Sequence, residues 1–350
     1  LQSAHAVLTH LNREKYEPVP LGITRDGRWL LYSGPLGALL DDTWHMNGHH
    51  CTPAVISPDR GLHGLLIIAP AGLSTVRLDA TKKCILLMDG DSVREVRVDV
   101  VFPVLHGLYG EDGTVQGLLE LAGIPIVGCG TLSSALCMDK DVAHQLAAAA
   151  GIPVPPSAVF RSGEDFSLLP LRTAALSYPL FIKPARAGSS FGITRAERQE
   201  QLEEAVQTAL EHDGKVVIEE EIPGFEVGCA VLGTDSLTLG RVDEIELSGN
   251  FFDYTEKYNL ITSKIHMPAR IPPEKEHEIQ SAAWRIYRAL ECSGFARVDL
   301  FLTPEGRIIF NEVNTIPGFT SHSRYPNMIK AAGLDFTSLV TRILELGVGA

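Results

Sequence analysis

Apolar residues along the chain fall into short continuous runs, separated by glycine- and proline-bearing turns and by amphipathic stretches of helical period. Leu1-Gln2-Ser3-Ala4 reads as the start or middle of an amphipathic helix, which predicts that something upstream is absent. The first 128 residues mix helical and strand signals around the turns SGPLG and DGDS. They end in VDVVFPVLHG, a continuous apolar strand, and the helix-like GTVQGLLELAG. That pattern predicts an α/β domain with a buried sheet over 1–128, and the fold expected for the chain as a whole makes that sheet parallel.

GIPIVG then leads into SSALCMDK and an alanine-rich helix from about 141 to 150, stopped by Gly151-Ile152-Pro153, and a smaller unit begins near there. Within it, YPLFIKP is a short strand, AGSSFGI a glycine/serine loop, Glu197 to Glu211 an acidic amphipathic helix and KVVIEE another strand. From Glu226 onward strands alternate (EVGCAVLG, LTLGRVDEIEL). They are followed by SGNFFDYTEKYNLITSK, which lacks apolar periodicity and reads as a long functional loop. A helix from about Glu274 to Leu290 precedes FARVDLFLT and RIIFNEVN, two strands joined at Pro304-Glu305-Gly306. No internal repeat appears.

Composition narrows the function classes. The 350 residues carry 30 Lys plus Arg against 43 Asp plus Glu, a net charge of -13 that disfavours nucleic acid as a partner. The longest apolar stretch, near Leu65 to Leu73, is broken by Pro70 and Gly72, far short of a membrane helix. Six cysteines without a CxxC pair fit reduced, mostly buried thiols in a cytoplasm.

The C-terminal hairpin holds the clearest chemical pattern, because its polar residues fall at period two inside apolar strands. Arg297 and Asp299 alternate with Val298 and Leu300, and Glu312 and Asn314 flank Val313. Antiparallel pairing about the turn puts all four on one face. Two carboxylates and an amide oxygen are hard ligands suited to Mg²⁺, with phosphate oxygens and water completing the shell; an ordinary solvated sheet face gives the same letters. Lys183 ends an apolar strand beside the loop Gly188 to Gly192, whose small residues let backbone N–H groups approach phosphate.

Other signals are more ambiguous. That loop also spells GxSxG, yet Ile193-Thr194-Arg195 reads as a strand, where a hydrolase elbow requires a helix. His45, His49, His50 and Cys51 cluster in sequence in a loop with no apolar framework, which disfavours zinc. His106, at the end of the FPVL strand, is either a ligand-site residue or a structural one. Glu219 and Glu226 bracket a turn where carboxylates can hold an exocyclic amine or a ribose hydroxyl, or simply face water.

Taken together, HGLYGEDGTVQGLLELAGIPIVG, SSALCMDK, FIKPARAGSSFGI, EKYNL, RVDLF and NEVNTIPGFTSHSRYP resemble the ATP-grasp D-alanine-D-X ligases over nearly the whole chain. FFDYTEKYNL followed by SKIHMPARI is similar to the D-alanine-D-serine ligases of vancomycin resistance, of the VanG type. The resemblance implies a three-domain ATP-grasp fold of α/β and α+β class: an N-terminal domain over 1–128 lacking its first strand, a lid over 129–218, and a catalytic domain over 219–350 with an ω-loop at about 248–264.

It also implies roles for particular residues. Lys140, Lys183 and Lys257 contact nucleotide phosphates, and Glu219, Ile222 and Glu226 contact adenine and ribose. Asp299, Glu312 and Asn314 ligate two Mg²⁺ ions, with Mn²⁺ as a substitute. ATP is a substrate: D-alanine becomes an acylphosphate that the second amino acid attacks, with Arg297 and the Gly318 N–H stabilising the oxyanion. Ser189 and Tyr258 tie the lid loop to the ω-loop, and His106 lies at the same centre. Ser323 receives the second substrate's carboxylate. Arg324, where D-alanine-D-alanine ligases commonly carry leucine, and Phe252, where they often carry tyrosine, favour D-serine over D-alanine. A cytoplasmic homodimer is the implied state. The family's N-terminal EYEVS-like motif, with a catalytic glutamate, precedes the point where this sequence starts. A D-alanine-D-alanine ligase and a truncated, inactive nucleotide-binding protein are therefore the alternatives.

Overall fold

The structure is a computed structural model that describes residues 1–61, 64–69, 78–79, 84–85, 92–188, 192–247 and 263–349. The chain opens on α1 (Gln2–His10), whose Val7 enters the core. An N-terminal sheet follows from β1 (Leu21–Ile23), β2 (Trp29–Tyr32), β3 (Cys51–Ile56), β4 (Gly64–Ala69) and β7 (Ser92–Arg97), with α2 (Gly37–Leu40) inserted after β2. The short pair β5 (Leu78–Asp79) and β6 (Cys84–Ile85) stands outside it.

This sheet corrects the expected parallel arrangement: β1-β2-β3-β4-β7 are antiparallel at every junction. The physical reason is connectivity, because parallel neighbours need a crossover, usually a helix, and strands such as β1 and β2 are joined by a tight turn. Nor is VDVVFPVLHG a strand. Its parallel pairing is a single bridge, Val101 with Ile126, before Pro103, which has no N–H to donate, and Gly107, whose φ is +75°. Helix α3 (Thr114–Ala122) seats Leu119 and Ala122 against this sheet and ends at Gly123 in the left-handed region, φ +70°.

After α4 (Thr131–Met138) and α5 (Lys140–Ala149), a four-stranded sheet is ordered β10-β9-β11-β8. Its strands are β8 (Ser157–Arg161), β9 (Leu180–Pro184), β10 (Thr194–Ala196) and β11 (Lys215–Glu220), with α6 (Leu169–Arg172) and α7 (Leu202–Leu210) alongside. Strand β10 agrees with the strand expected after the glycine/serine loop, where a nucleophile elbow requires a helix. The acidic stretch near Glu197 is helical only from a 3₁₀ turn at Gln199–Gln201 onward. The apolar face of α7 packs on β9 through Leu202, Ala205, Val206 and Ala209.

The third sheet runs β15-β14-β12-β16-β17, with β13 (Thr238–Leu239) beside β12. It is built from β12 (Phe225–Leu232), β14 (Asp243–Leu247), β15 (Ser263–His266), β16 (Phe295–Leu302) and β17 (Ile308–Asn314). Helix α8 (Pro273–Ala289) covers one face, where Ile279, Ile286 and Tyr287 meet Val227, Val298 and Leu300. Helices α9 (Arg324–Ala331) and α10 (Phe336–Val348) close the other through Tyr325, Met328, Ile329, Val340 and Ile343. Cys51, Cys129, Cys137, Cys229 and Cys292 carry free thiols, all but Cys51 buried. Among the described residues no helix is long and apolar enough to cross a membrane, and no group of three or more His, Cys, Asp or Glu converges on a metal position, the His45–Cys51 loop included.

Candidate active site

The β16–β17 hairpin aligns Arg297 with Asn314 and Asp299 with Glu312 as direct cross-strand partners, so all four side chains share one face. Beyond Asp299 the register slips, leaving Asn311 as the extra residue of a β-bulge. The bulge turns the Asn311 carbonyl out of the ladder, where His144 Nε2 donates to it at 2.8 Å. Helix α5 is thereby fastened to the strand that carries Glu312.

Asp299 is almost fully buried and heavily bonded. Arg297 donates through Nε to Oδ1 at 2.8 Å and through Nη2 to Oδ2 at 2.6 Å, and Asn314 Nδ2 donates to Oδ2 at 2.8 Å. Burial opposes the charge on Arg297, but the Asp299 carboxylate outweighs it and raises the guanidinium above its ordinary value. Carboxylates of Asp299 and Glu312 with the Asn314 amide form a hard-oxygen donor set. Mg²⁺ is typically held by one or two carboxylates plus substrate phosphates and water, so an all-protein cage is not required.

Lys140 starts α5, and its position is fixed from below. Buried Lys215 bonds Asp139 at 2.8 Å and pairs with Asp141 at 2.6 Å, and Asp139 caps the helix by accepting from the Val142 N–H. Lys140 Nζ then reaches Glu312 at 3.6 Å and the Ala187 carbonyl at 3.1 Å. Lys183, on β9, pairs with Glu219 on β11. Burial, helped by the neighbouring Lys140 charge, lowers the Lys183 ammonium to about 8. Lys140 thus stands beside the hairpin, while Lys183 is held on the four-stranded sheet by Glu219.

A cavity of about 630 Å³ is lined by Lys140, Arg297, Glu312, Asn314, Ser323 and Arg324, with Gly318 and His106 also on its wall. Ser323 Oγ accepts from the Thr320 N–H at 3.0 Å, fixing the turn that precedes α9. Arg324 is anchored more tightly than its sequence position suggests. Nε and Nη2 bond the two oxygens of Asp243 at 2.7 and 2.8 Å, and Nη1 bonds Glu226 at 2.7 Å and approaches Asp299 to 3.4 Å. Glu226 is consequently engaged by Arg324. Burial disfavours this guanidinium's charge, while Asp243 and Asp299 override it and push it well above its usual value.

Most of the expected site residues with described positions are therefore gathered around one cavity. Ile222 lies in the turn after β11, half-buried. Ser189, Phe252, Lys257 and Tyr258 lie outside the described residues. Asp243, Lys215 and His144 were not anticipated. Lys215 could have been suspected from the Asp139-Lys140-Asp141 run, and His144 from its place one helical turn beyond Lys140; Asp243 gives no local signal.

The chain matches the D-ala D-ala ligase N-terminus family over residues 1–129 and the D-ala D-ala ligase C-terminus family over residues 146–345. It belongs to the D-Ala-D-Ala ligase family. It is accordingly an ATP-dependent ligase of a family that uses ATP and a divalent metal. A putative D-alanine–D-lactate ligase of Streptomyces coelicolor is 44% identical to this ligase over 99% of its chain and 93% of the relative. The D-alanine–D-alanine ligase of Caldicellulosiruptor bescii is 42% identical over 99% and 90%. Among solved structures, the VanG D-Ala:D-Ser ligase from Enterococcus faecalis superposes with a TM-score of 0.87 at 53% identity, covering 99% of this chain and 94% of that one.

Proposed function

We propose that this ligase joins D-alanine to D-serine through a D-alanyl phosphate, making a peptidoglycan precursor of the kind that lowers vancomycin binding. The observation that carries the reading is the 53% identity and full-length superposition with the VanG D-Ala:D-Ser ligase. The Lys140, Glu312, Asn314, Arg297 wall supplies the phosphoryl-transfer half of the chemistry.

In this reading residues 129–218 form the lid and 219–350 the catalytic unit, with ATP between them. Lys140 and Lys183 hold triphosphate oxygens, and Glu219 and Glu226 face adenine and ribose. Asp299, Glu312 and Asn314 hold Mg²⁺, which when bound offsets charge on the transferring phosphoryl group. The D-alanine carboxylate attacks the γ-phosphorus, ADP leaves, and the second amino acid's amine attacks the resulting acyl carbon, expelling phosphate. Arg297 and the Gly318 N–H stabilise the oxyanion of that second step; each such donor is worth roughly 3 kcal/mol. Ser323 binds the second carboxylate. Arg324, held by Asp243 and Glu226, sets the shape and polarity of the wall beside it.

The test is a panel of second substrates in an ATP-dependent phosphate-release assay, with the dipeptide identified by mass spectrometry. D-alanine with D-serine is expected to turn over well above D-alanine alone. Equal rates would reassign the enzyme to D-alanine-D-alanine synthesis, and product with D-lactate exceeding both would contradict the proposal.

A further inference from the structure

The hydroxyl of Ser3, near the start of the chain, holds a peptide in the wall of the active-site cavity. Ser3 is 6% exposed, and its Oγ accepts from the Phe319 N–H at 3.1 Å. Ser3 and Gly318, the residue before Phe319, both line the cavity that also holds Arg297 and Ser323.

Helix α1 is oriented for this contact by its own periodicity. Ser3, Val7 and His10 stand at i, i+4 and i+7, on one face of the helix. Val7 enters the cluster that contains Phe295, Phe319 and Tyr325, and the His10 ring lies 4.7 Å from that of Phe336. Phe319 in turn is held by surrounding rings, with Phe336 at 5.4 Å, Phe102 at 5.6 Å and Phe295 at 5.8 Å. Packing therefore delivers the Ser3 hydroxyl to the Phe319 amide, and a buried amide without an acceptor is costly.

The amide it holds adjoins a soft joint. Gly318 has no side chain to restrict its torsions, and a Cβ there would crowd Ser323 Oγ at 3.0 Å. Its neighbours are pinned instead. The ring of Pro317 fixes that residue's φ, the Phe319 N–H is bonded to Ser3, and the Thr320 N–H is bonded to Ser323 Oγ at 3.0 Å. Among the described residues the Gly318 N–H itself meets no protein acceptor.

We infer that Ser3 is a positioning residue for the acyl-transfer step: by fixing the Gly318–Phe319 peptide it keeps the Gly318 N–H aimed at the oxyanion. This rests on the ligase reading of the cavity and adds to it a residue from the opposite end of the chain. In that step the amine lone pair forms the C–N bond as the carbonyl π pair moves onto oxygen. The pair returns as the C–O bond to phosphate breaks, and phosphate leaves with that bond's electrons and the amine's surplus proton. Phosphoryl transfer, which comes first, develops no new charge on this oxygen, so loss of the Ser3 hydroxyl should slow the second step alone.

The experiment follows ADP and dipeptide in rapid-quench single turnovers of the wild type, Ser3→Ala and Ser3→Thr. ATP and D-alanine are supplied with whichever of D-serine and D-alanine the wild type uses better as second substrate. In Ser3→Ala, ADP is expected within about threefold of the wild-type rate while dipeptide formation slows at least about tenfold. Hydroxylamine should then trap the accumulated acylphosphate as D-alanyl hydroxamate. Threonine keeps the hydroxyl, and Ser3→Thr should form dipeptide within about threefold of the wild-type rate. Wild-type rates for both products in Ser3→Ala would overturn the inference and leave the ligase reading intact. ADP and dipeptide slowed together, a lost unfolding transition, or a threonine variant as slow as the alanine one would also overturn it, in favour of general support of the fold. A wild type that forms no ADP with D-alanine would remove the ligase reading and this inference together.

Discussion

Arg324 and Asp243 meet edge to edge, Nε to Oδ2 at 2.7 Å and Nη2 to Oδ1 at 2.8 Å, with Asp243 fully excluded from solvent. The pair joins the first turn of α9 to β14, and through Glu226 it also reaches β12. Removing the guanidinium alone strands a buried carboxylate. Arg324→Leu should therefore cost on the order of 3–5 kcal/mol in urea unfolding. The double variant Arg324→Leu with Asp243→Asn should recover at least half of that. Additive losses would mean that the two residues are not energetically coupled.

The same contact explains a glycine. A Cβ on Gly228 would collide with Arg324 Nη2 and come within 2.8 Å of both Asp243 Oδ1 and Met328 Cε. Gly228→Ala is expected to lower the unfolding midpoint clearly in the wild type. In the Arg324→Leu background the same change should cost markedly less, because its nearest obstacle is gone. Equal penalties in the two backgrounds would contradict this.

His144 sets an acid limit on stability. Burial depresses its pKa from about 6.5 to about 4, so between those values the unfolded chain binds a proton that the folded chain does not. Its contribution is fully present above pH 6.5 and is lost as pH falls towards 4, by about 3 kcal/mol over that window. Chemical denaturation of the wild type and His144→Gln at pH 7 and pH 4.5 checks this. The variant should lose less stability on acidification; an identical loss would show that other groups carry the acid sensitivity.

The hairpin was legible from the chain because period-two alternation and a Pro-Glu-Gly turn fix which residues share a face, and Arg297, Asp299, Glu312 and Asn314 do share one. The bulge at Asn311 was not legible: a one-residue slip leaves the letters of β17 unchanged and is decided by what α5 offers the freed carbonyl. Apolar runs predicted strands in the N-terminal region but not their direction, which depends on connections that hydrophobicity does not encode. The partners of Arg324 were hidden for a related reason. Asp243 lies 81 residues away, and the contact exists only once α9 has packed across β12 and β14. Lys215, 76 residues from Asp139, is hidden in the same way.

The Glu312→Gln variant probes phosphoryl transfer at the hairpin, since it keeps the size and register of the side chain opposite Asp299 and removes only its charge. Mg²⁺-dependent phosphate release from ATP with D-alanine and D-serine, measured beside the thermal unfolding midpoint, gives both readouts. A loss of at least about 100-fold in turnover is expected, with the midpoint nearly unchanged. Turnover within a few-fold of wild type would contradict the placement of phosphoryl transfer at this hairpin.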